Sequence, residues 1–208
     1  MGDIYIVRHG ETDYNLNGTI YGQLDVPLNE VGKNQVKEVA LELQSENFDV
    51  CFCSPLQRTR DTAAAILEYH PIPIYYDDRL MELYKGALEG AACYPEKMPK
   101  IESEQIIEKY NWESKTHFYK RVENFYDEIL DKFPGKNILI VGHCGTLRMS
   151  SFYFNPPDKY INDIYYNLKF PTGAVLVYPN KKPFDKPLYR IYNYDNYFEK
   201  KYNLNGRY

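Results

Sequence analysis

Cysteine is scarce in this chain, with four in 208 residues. None of Cys51, Cys53, Cys93 and Cys144 stands with a histidine at zinc-ligand spacing, so the sequence offers no metal site. Cys51 and Cys53 are two apart, so in a strand they point to one face and read as reduced core residues. Basic charge is not in excess either. Lys and Arg total 25 against 29 Asp and Glu, a formal charge of −4. Without a basic run, a general nucleic-acid or membrane-surface binder is excluded, although a small positive pocket is not. No apolar run is long enough to span a bilayer, and no basic segment precedes the apolar run Ile4-Tyr5-Ile6-Val7. Ile6 also stands where a myristoylation signal needs Ser or Thr. The expected location is the cytoplasm. Tyrosine, at 22 residues, is the abundant type, and its crowding near the C-terminus reads as compositional bias and edge packing.

Repeats and long linkers are absent, and the length suits one domain over residues 1–208. Strand-like and helix-like patterns alternate. Residues 3–7, 48–53, 74–76 and 137–141 read as strands, with late strands at 173–178 and 188–192. Helices are expected at 30–47, with Val31, Val39, Ala40 and Leu43 on its apolar side, and from Ser54-Pro55 to residue 69, with Ser54 as cap. Further helices are expected at 101–110, at 116–132, and at 146–154. In the 116–132 helix Phe118, Val122, Phe125 and Ile129 recur at helical spacing. This alternation predicts an α/β fold, a three-layer sandwich of a mostly parallel sheet flanked by helices. The irregular stretch at about 91–116 reads as a small insertion over the active site, where specificity is commonly set.

Two apolar strands end alike. One runs into Arg8-His9-Gly10, and the other into Gly142-His143-Cys144-Gly145. Ligand sites in open parallel sheets lie beyond the carboxyl ends of strands. Both imidazoles therefore belong at one sheet edge, and the strand ending at Cys53 delivers Ser54 and then Arg58 to the same place. Two imidazoles and two guanidiniums converging in an acidic protein make an anion site, and guanidinium forks fit phosphate oxygens.

At this point the chain resembles the histidine phosphatase superfamily, also called phosphoglycerate mutase-like. The resemblance rests on Arg8-His9-Gly10-Glu11-Thr12 with Asn15, Gly22-Gln23-Leu24-Asp25, and Ser54-Pro55-Leu56-Gln57-Arg58-Thr59 with Thr62-Ala63. It continues through Arg79-Leu80-Met81-Glu82 with Gly86, Glu89 and Gly90, and Gly142-His143-Cys144-Gly145 with Leu147-Arg148. These stretches occur in the family's order over roughly residues 3–150.

The resemblance implies a phosphomonoesterase that needs no metal and no cofactor. His9 would become phosphohistidine, and Glu82 would donate the proton to the leaving oxygen. Arg8, Arg58 and His143 would complete the catalytic pocket. Asn15, Gly22 and Cys144 would lie with them at the phosphate. The implied partner is a small phosphorylated substrate, with α-ribazole phosphate or a sugar phosphate as leads. Elementary chemistry agrees. Flanking guanidiniums keep a nucleophilic imidazole neutral, and a ring of cationic donors stabilises the equatorial oxygens without a metal.

Departures from the family pattern are specific. Cys144 replaces a small residue after the second histidine, as a packing substitution or a redox-sensitive thiol. Trp112-Glu113-Ser114 stands where many phosphatases have Gly-Glu-Ser, and Arg121 matches the arginine that follows. His117 reads as an exposed helix histidine or a substrate contact, and His70 as structural. Tyr14, Tyr21 and Tyr84 are core residues or an aromatic wall. The alternative reading is a cofactor-dependent phosphoglycerate mutase. However, Leu83-Tyr84-Lys85 replaces the mutase Arg-His-Tyr, and no arginine lies between Arg79 and Arg121. Lysines such as Lys97 and Lys100 are poorer bidentate partners for a carboxylate. A remote alternative is a non-catalytic phospho-ligand binding module, but no catalytic position is lost.

Overall fold

Apolar strands with no polar alternation need cover on both faces, and the sheet has it. In this computed structural model, which describes residues 2–92, 104–156, 168 and 170–180, four parallel strands form the sheet. They are β1 (Asp3–Arg8), β2 (Val50–Cys53), β3 (Ile74–Tyr76) and β4 (Ile138–Gly142). A fifth strand, β5 (Val175–Pro179), runs antiparallel to β1 at one edge, giving the order β3-β2-β4-β1-β5. The strand expected at 188–192, and with it Cys93, Lys97 and Lys100, lies outside the described residues.

Period-two side-chain alternation sorts the sheet into two cores. Ile4, Ile6, Val50, Phe52, Ile138 and Ile140 face α5 (Lys115–Lys132), which follows the short helix α4 (Glu104–Tyr110), and α6 (Cys144–Phe154). Tyr5, Val7, Cys51, Cys53, Leu139 and Val141 face α2 (Glu30–Leu43) and α3 (Gln57–Leu67). Cys51 and Cys53 thus share one face, buried and unbridged. The layers are those expected. Among the described residues no helix is long and apolar enough to cross a membrane.

Two expectations fail locally. Val31 is 47% exposed, because the stripe of α2 that meets the sheet is Val36, Val39, Ala40 and Leu43, with Gly32 one turn earlier. The helix also stops at Leu43, short of residue 47, where the buried His70 ring donates from Nε2 to the Leu43 carbonyl (3.1 Å). Ser54 does not cap α3, which starts at Gln57 with no side-chain cap from its neighbours. The Gln57 N–H instead donates to Asp25 Oδ1 at 2.5 Å, a carboxylate 32 residues earlier. That leaves the Ser54 hydroxyl for another partner.

Candidate active site

The register of the strands brings three chain exits to one level. Arg8 pairs with Gly142, and Cys53 with Val141. The next backbone amides continue the ladder, His9 N–H to Gly142 O and Ser54 N–H to Val141 O, both 3.0 Å. His9, His143 and Ser54 therefore leave adjacent strands side by side.

Beyond β1 the chain is held tightly. Gly10 N–H donates to Thr62 Oγ1 (3.3 Å), and Glu11 N–H to Gln35 Oε1 (2.8 Å). Thr12 caps the short helix α1 (Asp13–Leu16) in a capping box with Asn15. The polar groups that follow His9 in this stretch thus pin the loop.

His9 is buried, and its Nδ1 lies 2.7 Å from the Gly10 carbonyl. A carbonyl only accepts, so Nδ1 carries the proton and the neutral ring presents a lone pair at Nε2. Burial, then the Arg58 and Arg8 guanidiniums, hold its pKa well below the ordinary 6.5. The ring centroid of His143 is 5.3 Å away. His143 is also fully buried, and burial followed by Arg58 and His9 lowers its pKa well below 6.5. Its Nε2 is 2.8 Å from Ser54 Oγ, the use to which the uncapping serine is put.

Arg58 is completely buried, with Nη1 donating to Leu24 O and Nη2 to Gly22 O, each 2.8 Å. Its guanidinium carbon sits 4.8 Å from the centre of the Tyr21 ring. Tyr21 also meets His9, at 6.4 Å between centroids, and Tyr14 at 5.8 Å. Gly22 has φ +35°, and a Cβ there would lie 2.1 Å from Glu89 Oε1, so glycine lets this carbonyl approach the arginine. Arg8 donates from Nη1 to the Phe170 carbonyl. Three buried side-chain nitrogens among the described residues have no partner, Arg8 Nε, Arg58 Nε and His143 Nδ1. All three belong to residues around His9. Buried donors are otherwise almost always satisfied, so their clustering marks a place built for an acceptor-rich anion.

Glu82 lies within electrostatic reach of Arg58. Its carboxyl oxygens accept from Leu83 N–H (2.8 Å) and from Gly145 N–H in the first turn of α6 (3.0 Å). The other expected residues stand differently. Asn15 Oδ1 accepts from Thr12 and its Nδ2 donates to the Tyr21 hydroxyl (2.6 Å), so Asn15 adjoins the cluster through Tyr21. Cys144 is half-buried against the core beside α5 and α6. Tyr84 is exposed and lines a separate cavity of about 580 Å3 with Gln23, Met81, Trp112, His117 and Arg121. None of Arg8, His9, Arg58 and His143 lines that cavity.

Sequence reasoning missed the partners. Phe170 is 162 residues from Arg8, and Ser54 is 89 from His143; no local pattern pairs them. Lys85 was seen only as a departure. Its ammonium lies 4.2 Å over the Trp112 ring and has no carboxylate partner among the described residues. Burial pushes its pKa down to about 8.

The chain is similar to known proteins. Phosphoserine phosphatase 1 of Hydrogenobacter thermophilus is 33% identical over 155 residues, 71% of this chain and 74% of its own. The adenosylcobalamin/alpha-ribazole phosphatase of Salmonella typhimurium is 34% identical over 154 residues, 70% of this chain and 76% of its own. In fold, the crystal structure of the alpha-ribazole phosphatase from Shigella flexneri matches with a TM-score of 0.77 at 23% identity, over 91% of this chain and 95% of that one. The model of the histidine phosphatase superfamily (branch 1) matches residues 4–160, which contain both strand-end histidines, Arg58 and Glu82. A chain with that match over most of its length, and with two buried imidazoles set beside the guanidiniums of Arg8 and Arg58, belongs to the histidine phosphatase superfamily.

Proposed function

We propose that this chain hydrolyses small phosphate monoesters by passing the phosphoryl group through Nε2 of His9. The clustering of Arg8 Nε, Arg58 Nε and His143 Nδ1 as buried donors without partners carries the reading, since a phosphoryl group supplies the acceptors they lack. The neutral His9 ring attacks phosphorus from Nε2, and the bond from phosphorus to the ester oxygen breaks. Glu82 gives its proton to that oxygen. Water then attacks the phosphohistidine, Glu82 takes a proton from the water, and inorganic phosphate leaves as the His9 lone pair returns. With the Ser54 hydroxyl donating to Nε2 of His143, the His143 proton sits on Nδ1 and becomes a phosphate donor. The Gly10 carbonyl, by holding the His9 Nδ1 proton, keeps Nε2 free and stabilises the ring as it gains positive charge. The guanidiniums supply the charge stabilisation that a metal gives elsewhere.

The whole chain is read as one catalytic domain in the cytoplasm, consistent with the free thiols of Cys51, Cys53 and Cys144, and the 91–116 stretch as its lid. Support for the lid is local, since Glu113 N–H donates to the Tyr84 carbonyl at 3.0 Å beside Glu82. The phosphorylated partner is a small metabolite-sized ester, with α-ribazole phosphate and sugar phosphates as first candidates. One observation favours a second class. Lys85, next to Glu82 in electrostatic terms and unpaired with any carboxylate among the described residues, suits an ester carrying another anionic group, such as the phosphoserine named for the Hydrogenobacter relative.

The test is phosphate release in the presence of EDTA across α-ribazole phosphate, sugar phosphates, phosphoserine and 3-phosphoglycerate, with His9→Ala and Lys85→Met alongside. Release that persists in EDTA and vanishes in His9→Ala is expected. A raised KM in Lys85→Met confined to the anionic esters selects the second class; equal behaviour on all esters removes it. If wild-type and His9→Ala release phosphate alike, the phosphohistidine reading fails. Absence of release on every ester, with transfer between phosphoglycerates, replaces it with a mutase.

A further inference from the structure

The proton donor assigned to Glu82 sits on irregular backbone. Residues 82–85 belong to no helix or strand, so no ladder of backbone hydrogen bonds fixes them. Polar backbone groups in such a segment need partners from elsewhere, and one side chain reaches the carbonyls that lead up to and include Glu82. Arg121, on α5, donates from Nη1 to the carbonyls of Arg79 and Met81, each at 2.7 Å, and from Nη2 to the carbonyl of Glu82 at 3.0 Å. Its remaining N–H groups go to Glu113, Nε to Oε1 at 2.7 Å and Nη2 to Oε2 at 2.9 Å. All five donors of the guanidinium are thereby used.

Glu113 completes the clasp. Its side chain is 8% exposed, and Oε2 also accepts from the Tyr84 N–H at 3.1 Å. The backbone is therefore gripped on both sides of Glu82 by one half-buried ion pair, whose hydrogen bonds among the described residues include neither His9 nor the Glu82 carboxylate. Gln23 adds a bond from Nε2 to the same Glu82 carbonyl at 3.0 Å.

We propose that the Arg121–Glu113 pair is a positioning unit for proton transfer, holding the Glu82 backbone so that its carboxyl reaches the ester oxygen. This rests on the acid role given to Glu82 above. A planar fork with five donors can meet three carbonyls and a carboxylate at once; an ammonium, with three donors on one atom, cannot. The pair acts through Glu82 and is not itself catalytic. Purely structural support would lower all activities together. Positioning of an acid has a different signature, because only poor leaving groups need the proton.

The experiment compares kcat/KM for an alkyl phosphate and for 2,4-dinitrophenyl phosphate in wild type, Glu82→Gln, Arg121→Lys and Glu113→Gln. Circular dichroism and urea unfolding establish that each variant is folded. Glu82→Gln is expected to lose about a hundredfold on the alkyl ester and little on the activated one. Arg121→Lys is expected to lose about tenfold or more on the alkyl ester, again with little change on the activated one. In the Glu82→Gln/Arg121→Lys double variant, the second change should add almost nothing to the first, as for residues that act as a unit. Should Arg121→Lys not fold, Glu113→Gln carries the same expectation. Equal losses on both esters in Arg121→Lys, or additive losses in the double variant, overturn the positioning proposal and leave Glu82 in place. If Glu82→Gln itself shows no dependence on leaving group, the acid role falls and the positioning role falls with it.

Discussion

Several side chains at this site answer to a hydrogen-bond partner far away in sequence, and Ser54 shows what such a partner does. A serine before proline at the end of a strand reads as a helix cap, yet its hydroxyl lies 2.8 Å from His143 Nε2 and the helix is capped by Asp25. With the hydroxyl as donor, as the proposed chemistry requires, the His143 proton sits on Nδ1 and the ring can donate to an anion. Ser54→Ala removes a buried partner at a loss of ~1–3 kcal/mol, equivalent to about fivefold to 150-fold in kcat/KM. Ser54→Thr, which keeps the hydroxyl, should recover most of it. Steady-state kinetics on one aryl phosphate decides; an alanine variant as active as wild type removes Ser54 from the orienting role.

At the scale of elements, the loop after β1 depends on how closely α2 approaches it. A Cβ on Gly32 would lie 2.0 Å from the Glu11 carbonyl oxygen and 2.7 Å from its nitrogen. Both are backbone atoms, so no rotamer change relieves the clash. The same contact region carries the bonds from Asn29 N–H to Glu11 O (3.0 Å) and from Glu11 N–H to Gln35 Oε1 (2.8 Å). Gly32→Ala must push the helix away from the segment that follows His9. The expected outcome is a loss of about 1–3 kcal/mol in urea unfolding, as for other overpacked sites, together with a fall in kcat. Unchanged stability and kcat would show that α2 does not brace the nucleophile's loop. The element pattern itself was legible, because hydrophobic periodicity is local. Phe118, Val122, Phe125 and Ile129 are all buried, whereas Val31 was misplaced because one residue in a helix turns a side chain by about 100°.

For the molecule as a whole, two buried neutral imidazoles link folding to pH. The pKa values of His9 and His143 in the folded chain lie well below 6.5, whereas in the unfolded chain both take the ordinary value. Above pH 6.5 both states hold these rings neutral and folding is unaffected. As pH falls below 6.5 the unfolded chain binds protons that the folded chain refuses, so stability declines until the folded pKa values are reached. With both rings contributing, the slope approaches about 2.7 kcal/mol per pH unit. Chemical unfolding between pH 7.5 and 5 measures it, with His143→Gln expected to roughly halve the slope. A flat profile across that range would mean that the two rings are not held neutral by the fold.

By itself the sequence determined the strands among the described residues, most of the helices and the two strand-end histidines with Arg58 and Glu82, because strand runs, helical stripes and motif spacing are properties of neighbouring residues. Tertiary structure alone decided what those residues answer to. It set Ser54 on His143, the carbonyls of Gly22 and Leu24 on Arg58, the Phe170 carbonyl on Arg8, and the Arg121 fork on the backbone around Glu82. Asp25 became the cap of α3 by the same route. A buried polar group must find a partner, but which one it finds depends on segments that packing brings together from distant parts of the chain, and no local pattern encodes that choice.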